Sequence, residues 1–571
     1  MLLTIASSIL LLVAALAFGL DRLTPTRSLG FVTGAAMFVA AMLMLLIPAR
    51  AVDQAPVEAL VIAGARFSFW PAPSAGERAV ALALLGGGGT MLLGLAGAIP
   101  ASVRGFGKVF AWATIALAAA LASVTTPPFS LVQPVAWSAL AIAGYGALRA
   151  SGITAQDETP PLMVATGLGA SLLLMVALLL GGADLVAGRL PAWPAAAAGV
   201  VAALGLAGCP PLLHARDEAA GAPAPLGALI FGVAAPAAAL GWLLRSVAAL
   251  PALPPAWSIT LGLIGGLGAV ASASSALGEQ RLRPLLSRAW GFQAALIVAA
   301  AGLAGPGGAV AGPSMLAGLM LGAVVAASAA AILEQRTGSD DCAAGSQAPP
   351  LAAAAWATGM LVSLGLPPLW GFWGRLWFLQ AAQERQPWLV ALTLAASVLL
   401  TLAFLAPLAA MLNPGRVAPR RGPWTDALPL VLAGSVLLVL GVVPQLAWRL
   451  WLRDASLAPA AAPIAPLIQA ASLAGGLLLV LLGLLVARAP STRALERDPD
   501  EEPAWLAPEG LGALLRPLSW LGRPTPVLQG AWFALQRASE LLRIPLTLFE
   551  QRYYLLGVLA ALLTIMLLMA R

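Results

Sequence analysis

Long apolar runs follow one another along almost the whole chain, and each is bounded by charged residues, proline or glycine clusters. About 20 apolar residues make a helix long enough to cross the roughly 30 Å hydrocarbon layer of a bilayer. The pattern predicts about sixteen transmembrane helices, near residues 2–20, 29–48, 79–99, 106–124, 129–148, 161–182, 194–213, 225–247, 256–277, 290–304, 313–333, 351–381, 387–411, 426–447, 464–487 and 554–570. These runs predict an all-α polytopic membrane protein.

Composition supports a membrane protein and excludes a soluble enzyme. Of the 571 residues, 60% are hydrophobic and 10% are charged, whereas soluble domains carry roughly 25% charged residues. The formal net charge is +7, but the arginines are scattered through short loops and form no basic patch. We therefore expect no nucleic-acid partner.

The positive residues concentrate in alternate loops, while the loops between them are nearly uncharged. Membrane proteins keep such positive loops in the cytoplasm, so both termini are expected outside. The first segment has no Lys or Arg before it and is interpreted as an uncleaved helix. The positive residues concerned are Arg22, Arg27, Arg104, Lys108, Arg281, Arg283, Arg288, Arg416, Arg420 and Arg421.

One long polar stretch, residues 489–552, cannot lie in hydrocarbon. Its residues 527–542 place Leu528, Trp532 and Leu535 at helical spacing, with charged residues on another face. This pattern predicts an amphipathic helix on the cytoplasmic surface, before the last span.

Two apolar spans are interrupted in the same way. Each carries Gly followed closely by Pro-Pro-Leu, at Pro210 and Pro211 and again at Pro367 and Pro368. Proline removes a helical hydrogen bond, and freed carbonyls are tolerated in a membrane only beside protein or a water-filled cavity. Paired breaks are typical of internally repeated transporters. The alternative is two unrelated proline kinks.

Three stretches carry a resemblance to a known family. Residues 363–375 read Ser-Leu-Gly-Leu-Pro-Pro-Leu-Trp-Gly-Phe-Trp-Gly-Arg, residues 211–225 read Pro-Leu-Leu-His-Ala-Arg-Asp-Glu-Ala-Ala-Gly-Ala-Pro-Ala-Pro, and residues 279–286 read Glu-Gln-Arg-Leu-Arg-Pro-Leu-Leu. Together they resemble the antiporter-like membrane subunits of respiratory complex I, multisubunit cation/proton antiporters and energy-converting membrane hydrogenases.

The resemblance implies a domain organisation with two inverted repeats, each containing a broken helix. The segments are N-terminal helices 1–105, a first repeat 106–247, a second repeat 256–412, C-terminal helices 413–488, the polar loop with its surface helix 489–552, and a final anchor 553–571.

The chain departs from the family at the positions that carry protons. The family has a Glu in its fifth helix and lysines in its seventh, eighth and twelfth helices, whereas the corresponding residues here are Ser138, Ala207, Ala237 and Arg375. A proton relay needs groups that titrate near neutral pH, which an arginine does not do. We expect conduction to be weakened or lost.

Six charged or titratable residues are candidates for a proton pathway. His214 is the only histidine, and it serves either proton transfer or capping of irregular backbone. Asp217 and Glu218 form either an acidic entrance or a solvated loop cluster. Arg245 and Arg283 lie at predicted helix ends, where snorkelling to the interface explains them. Arg375 is expected to be structural, pairing with a partner's carboxylate or with freed carbonyls.

No cofactor, metal site or disulfide is expected, because Cys209 lies in an apolar segment and Cys342 in a polar loop. The expected function is a non-catalytic antiporter-like subunit of a complex I-like or hydrogenase-like complex in a bacterial plasma membrane. Its expected partners are the other membrane subunits and lipid. The alternative is a stand-alone secondary transporter of a small solute or cation.

Overall fold

The computed structural model describes residues 2–47, 57–62, 65–69, 72–99, 103–152, 162–186, 193–210, 212, 222–250, 253–303, 306–342, 350–412, 428–443, 446 and 537. The chain separates into two units between Gly522 and Arg523, and every element described below belongs to the first. The predicted spans 464–487 and 554–570 lie outside the described residues. So does the polar stretch 489–552, apart from Arg537.

The described part of the chain is built from helices connected by short turns, as the apolar runs predict. In chain order they are α1 (Leu2–Gly19), α2 (Thr26–Leu46), α3 (Ala75–Ala98), α4 (Gly107–Thr125), α5 (Val132–Ala150), α6 (Leu162–Val186), α7 (Trp193–Ala207), α8 (Ala224–Ala248), α9 (Pro255–Ala276), α10 (Leu282–Gly302), α11 (Pro306–Thr337), α12 (Pro350–Leu364), α13 (Gly371–Arg385), α14 (Pro387–Leu412) and α15 (Leu428–Val442).

Within the described residues, nine helices are long and apolar enough to cross a membrane by length and composition. The protein is therefore a multi-pass membrane protein. One feature departs from the all-α prediction: β1 (Val57–Ile62) and β2 (Ala65–Phe69) form an antiparallel hairpin. The Ser68 amide of this hairpin donates to Ser130 Oγ at 3.0 Å, which ties the hairpin to the turn before α5.

The long helix α11 lies at the centre of the bundle. It contacts α3, α8, α10, α12, α13 and α15, and along most of its length its side chains are buried. Many of these are alanines, which let helix backbones approach closely where lipid supplies no hydrophobic driving force. The core is consequently dense and apolar.

The start of α10 corrects the sequence prediction. A span from 290 was expected, because Arg283 and Arg288 were assigned to a loop, but the helix begins at Leu282. Ion pairs of Arg283 with Glu334 and of Arg288 with Glu279 account for the difference. Paired charges can enter the end of a membrane helix at a much smaller cost than unpaired ones.

The loops with Arg22 and with Arg104 lie together, as expected if both are on one side of the membrane. The Thr26 amide donates to the carbonyl of Val103 at 3.0 Å, and Asp21 accepts a hydrogen bond from the Gly107 amide at the start of α4. Asp21 thus supplies a carboxylate to the N-terminus of a helix other than its own, where negative charge is favourable.

Among the glycines that follow helices in the left-handed region, two lie at the predicted breaks. Gly208 has φ +60° after α7, and Gly365 has φ +64° after α12. A side chain in this region costs about 1–2 kcal/mol, and a Cβ on Gly365 would also lie 2.8 Å from Arg375 Cβ.

We therefore predict that G365A lowers the thermal midpoint of the purified chain by several degrees. The matched control is G434A within α15, because nothing lies within 4 Å of an added Cβ there and alanine is the better helix former. Scanning fluorimetry in detergent measures both variants. Equal midpoints for G365A and G434A would contradict the assignment of Gly365 as an obligatory left-handed cap.

Candidate functional site

The break after α7 is a helix C-terminus closed by its own backbone. The Cys209 amide donates to the carbonyl of Leu204 at 2.9 Å, and the Gly208 amide donates to that of Gly205 at 3.2 Å. These two bonds around a left-handed glycine are a Schellman motif, which satisfies carbonyls at a helix end. Helix α7 thus ends three residues before Pro210, and Pro211 lies outside the described residues.

The break after α12 repeats this geometry. The Leu366 amide donates to the carbonyl of Leu361 at 2.8 Å, and the Gly365 amide donates to that of Val362 at 3.1 Å. Pro367 and Pro368 follow, joined by a cis peptide bond, and the chain resumes as α13. The two predicted interruptions are therefore the same local structure.

Arg375 lies directly beside the second break and is buried. Its side chain is 6% exposed. Nη2 donates to the carbonyl of Ser363 at 3.4 Å, Nη1 has no hydrogen-bond partner, and the guanidinium carbon lies 4.9 Å from the centre of the Phe292 ring. The expected contact with freed carbonyls is present, and within the described residues Arg375 has no carboxylate partner.

Other side chains supply further donors to the same region. Gln293 in α10 donates to the carbonyl of Val362 at 3.3 Å. Trp370 Nε1 donates to the carbonyl of Ser314 at 3.2 Å, and Trp373 Nε1 donates to that of Gly441 at 2.8 Å. The tryptophans on α13 therefore join this helix to α11 and α15 by packing and hydrogen bonds.

Arg245 in α8 is engaged with protein groups, so the snorkelling expected from sequence is wrong. Its guanidinium donates to the carbonyls of Ser123, Val124 and Thr126 at 2.7, 2.8 and 2.6 Å, and Nε donates to the carbonyl of Gly241 at 3.1 Å. The first three carbonyls belong to the C-terminal end of α4, where an arginine complements the helix dipole.

Glu77 completes this cluster and was missed by the sequence analysis. It is 6% exposed, and Oε1 lies 3.5 Å from Arg245 Nη1. Oε2 accepts from the Ser74 amide at 2.7 Å, and the Glu77 amide donates to Ser74 Oγ at 3.3 Å. This capping box could be read from the Ser-x-x-Glu spacing, whereas the ion pair with Arg245 could not.

Gln133 and Trp137 extend the Arg245 cluster into α5. Gln133 Oε1 accepts from Ser123 Oγ at 2.6 Å, and Trp137 Nε1 donates to the same hydroxyl at 3.1 Å. Trp137 also packs edge-on against Trp242 of α8, with ring centres 5.8 Å apart. The cluster thus joins α3, α4, α5 and α8 through buried polar contacts.

Three positions that the sequence resemblance aligns with the family's relay, Ser138, Ala207 and Ala237, carry neutral side chains. Ser138 Oγ lies 2.7 Å from Ser171 Oγ, and Ser171 Oγ in turn donates to the carbonyl of Pro134 at 2.6 Å. Ala207 and Ala237 have no exposed surface. None of these side chains can release a proton near neutral pH.

Arg283 lies away from the two breaks, and its snorkelling interpretation is also wrong. Nε and Nη2 donate to the two carboxylate oxygens of Glu334 at 2.8 and 2.7 Å. Such a bidentate pair is directional and strong, and it fixes the start of α10 to the end of α11. The remaining candidates, His214, Asp217 and Glu218, lie outside the described residues.

Among the described residues, no group of three His, Cys, Asp or Glu side chains could hold a metal ion. Cys342 is a free thiol near the start of α10. Burial raises the pKa of this thiol, and the carboxylates of Asp341, Asp340 and Glu279 raise it further. The thiol therefore stays protonated at neutral pH.

Comparisons with known proteins agree with this geometry. Residues 198–401 match the sequence model of the family described as NADH:quinone oxidoreductase/Mrp antiporter, TM. A stretch of 99 residues is 38% identical to NADH-quinone oxidoreductase subunit 14 of Thermus thermophilus, and it covers 17% of this chain and 23% of that protein. The curated relative is thus matched over less than a quarter of its length.

Solved structures share the fold at lower identity. A chain of the Mrp complex from Dietzia sp. has a TM-score of 0.66 at 22% identity, over 94% of this chain and 60% of that chain. A chain of an archaeal membrane-bound sulfane sulfur reductase has a TM-score of 0.62 at 18% identity, over 80% of this chain and 97% of that chain. A chain of respiratory complex I from Thermus thermophilus has a TM-score of 0.57 at 23% identity, over 78% of this chain and 98% of that chain.

The Arg245 cluster generates a stability prediction. R245M removes the guanidinium that lies 3.5 Å from the buried Glu77 carboxylate, and breaking a buried ion pair typically costs about 3–5 kcal/mol. The double variant E77Q/R245M removes that charge as well, so we expect it to be more stable than R245M. Chemical denaturation in detergent measures both variants.

The control for this prediction is R149M, because Arg149 is exposed and its guanidinium donates to the neighbouring Tyr145 hydroxyl. It should change stability by no more than about 0.5 kcal/mol. If E77Q lowers the stability of R245M by as much as it lowers the stability of the wild-type chain, the two side chains are not coupled and the prediction is wrong.

The raised pKa of Cys342 predicts slow alkylation. In a C209A background, iodoacetamide at pH 7.5 should modify Cys342 at least about tenfold more slowly than glutathione, because the thiolate is the reactive form. D340N/D341N should increase the rate at which Cys342 is alkylated. Unfolding in SDS should bring the Cys342 rate close to that of glutathione. Mass spectrometry of timed samples measures it, and a native rate equal to that of glutathione would contradict the assignment.

Proposed function

We propose that this chain is an antiporter-like, non-catalytic membrane subunit with weakened proton conduction, because residues 198–401 match the NADH:quinone oxidoreductase/Mrp antiporter family model and the fold is shared with chains of Mrp and complex I structures. Its host would be a complex I-like or hydrogenase-like assembly. The observation that carries the proposal is the replacement of the family's relay residues by Ser138, Ala207 and Ala237.

The groups near Ser138, Ala207 and Ala237 support an interior without a chain of water molecules. The hydroxyls of Ser138 and Ser171 already bond to each other and to a backbone carbonyl. A cavity of about 20 Å³ lies between α5, α6, α7 and α8, and Thr166 is the one polar side chain in its lining. That hydroxyl donates to the carbonyl of Met163.

A cavity of this size has room for one water molecule, but a buried water needs two to four polar partners. Without such partners no chain of water molecules replaces the missing side chains. A proton crossing the first repeat would therefore meet a gap at each of the three positions, and each isolated charge in such a gap costs several kcal/mol.

A stand-alone transporter is less well supported. Such a protein needs convergent polar groups in midmembrane to bind its solute. The larger cavity, about 60 Å³ between α6, α7, α8 and α9, is lined by apolar side chains with Ser246 as the exception. The buried polar groups that converge near the ends of α4 and α12 bond to helix carbonyls.

The same proposal includes the number of spans and their arrangement in repeats. The matched Schellman breaks after α7 and α12 support two inverted repeats, 106–247 and 256–412, within a chain of about sixteen spans. The surface helix at 527–542 and the anchor at 553–571 would then connect the subunit to its neighbours. The other membrane subunits and lipid are its proposed partners, and the bacterial plasma membrane is its proposed location.

The test is proton flux through the purified chain in liposomes under a potassium diffusion potential, followed with an internal pH dye. The expected flux is within about twofold of protein-free liposomes, because titratable groups are missing at the relay positions. Gramicidin provides the positive control. Robust flux through the wild-type chain that H214A abolishes would overturn the proposal.

Variants that restore titratable residues at the relay positions make the test more specific. A207K and A237K return lysines to the relay positions, and S138E returns the carboxylate. Since Ala207 and Ala237 are fully buried, folded protein is first verified by size exclusion and thermal melting. The triple variant is expected to exceed wild-type flux, and a folded triple variant with wild-type flux would show that these positions do not limit conduction.

A further inference from the structure

The C-terminal end of α12 presents backbone carbonyls inside the protein. The end of a helix carries roughly half an elementary negative charge, and discontinuous membrane helices of transporters use such ends to coordinate sodium ions or protons. At α12 the Schellman bonds serve Leu361 and Val362, while the carbonyl of Ser363 accepts from the Arg375 guanidinium. The cationic side chain of Arg375 therefore lies at this helix end.

The other contacts of this guanidinium are also those of a cation site. The Phe292 ring face lies 4.9 Å from its central carbon, and aromatic faces attract cations through their quadrupole. The side chain is 6% exposed, and Nη1 has no hydrogen-bond partner. In the described part of the chain, a carbonyl dipole and a ring, without a carboxylate, balance this charge. Neutral ligands of this kind suit a monovalent cation, since divalent ions bind through carboxylates.

A second arginine follows the same arrangement. Arg245 donates to three carbonyls at the end of α4, at distances of 2.6 to 2.8 Å. There Glu77 shares the charge, with Oε1 at 3.5 Å. The ends of α4 and α12 are thus both closed by guanidinium groups, and of these two arginines Arg375 is the one without a carboxylate partner in the described residues.

We propose that Arg375 is a tethered cation that fills a monovalent-cation site at the C-terminal end of α12 and thereby excludes sodium and hydronium ions from the second repeat. An arginine keeps its proton across the physiological pH range, and a fixed positive charge in a narrow pathway repels cations and protons. This inference rests on the proposed function, because it assigns a cause to weakened conduction in the half of the subunit that keeps a charged residue.

The experiment replaces Arg375 and measures whether a free cation binds in its place. In R375A the vacated site should bind Na⁺ or guanidinium, so either ion should stabilise the variant by mass action. We expect 300 mM NaCl, compared with 300 mM choline chloride, to raise the thermal midpoint of R375A by at least about 3 °C. Guanidinium chloride at 20 mM, well below denaturing concentrations, should do the same.

The wild-type chain should show neither response. The matched control is R385A, which removes an exposed arginine from the same helix and should also show neither. R375K keeps a tethered cation and should behave like wild type toward Na⁺. R375Q provides a neutral variant of nearly full length, for which uptake of radioactive sodium into liposomes should exceed that of wild type by at least about tenfold.

Failure of this inference can be told apart from failure of the proposed function. If R375A and R375Q are folded but respond to Na⁺ and guanidinium no more than wild type does, the tethered-cation proposal is wrong whatever the wild-type proton flux. If neither variant can be recovered folded even with 300 mM NaCl or 20 mM guanidinium, free cations do not replace Arg375, and the proposal is also wrong.

Discussion

A helix that ends inside a membrane protein must find donors for its last carbonyls, since hydrocarbon offers none. Much of the described structure follows from this requirement. Schellman bonds at Gly208 and Gly365 use the backbone itself, while Arg245, Gln293 and Arg375 bring side-chain donors from other helices. Each donor fixes the position of one helix against another, so satisfying these carbonyls also sets the packing of the bundle.

The same contacts affect conduction. A relay requires groups that exchange hydrogen-bond partners and protons, whereas the donors at these helix ends are arginines, amides and indoles that hold their protons. Ala207 and Ala237 have no exposed surface and Ser138 is half-buried, and the cavity of about 20 Å³ between α5, α6, α7 and α8 has one polar side chain, Thr166, in its lining. The described interior therefore joins its helices through groups that keep their protons, as the proposed loss of conduction requires.

Much of this arrangement could be predicted from the sequence, because apolar length and proline position depend on local chemistry. The spans and the Gly-Pro-Pro breaks are examples, and so is the loss of relay lysines. The early start of α10 at Leu282, the hairpin of β1 and β2, and the ion pair of Glu77 with Arg245 could not. Each depends on a partner distant in sequence, such as Glu334 for Arg283, and a single sequence does not indicate such pairs.

The most direct measurement of a closed interior is the water accessibility of single cysteines. S138C, A207C and A237C, each in a chain whose own Cys209 and Cys342 are changed to alanine, would be treated with a small, water-soluble, membrane-permeant thiosulfonate. A207C and A237C should remain unmodified in the folded protein, because their positions have no exposed surface, and S138C should react only slowly. Rapid modification of two or more of the three would reveal a water pathway through the first repeat and contradict the account.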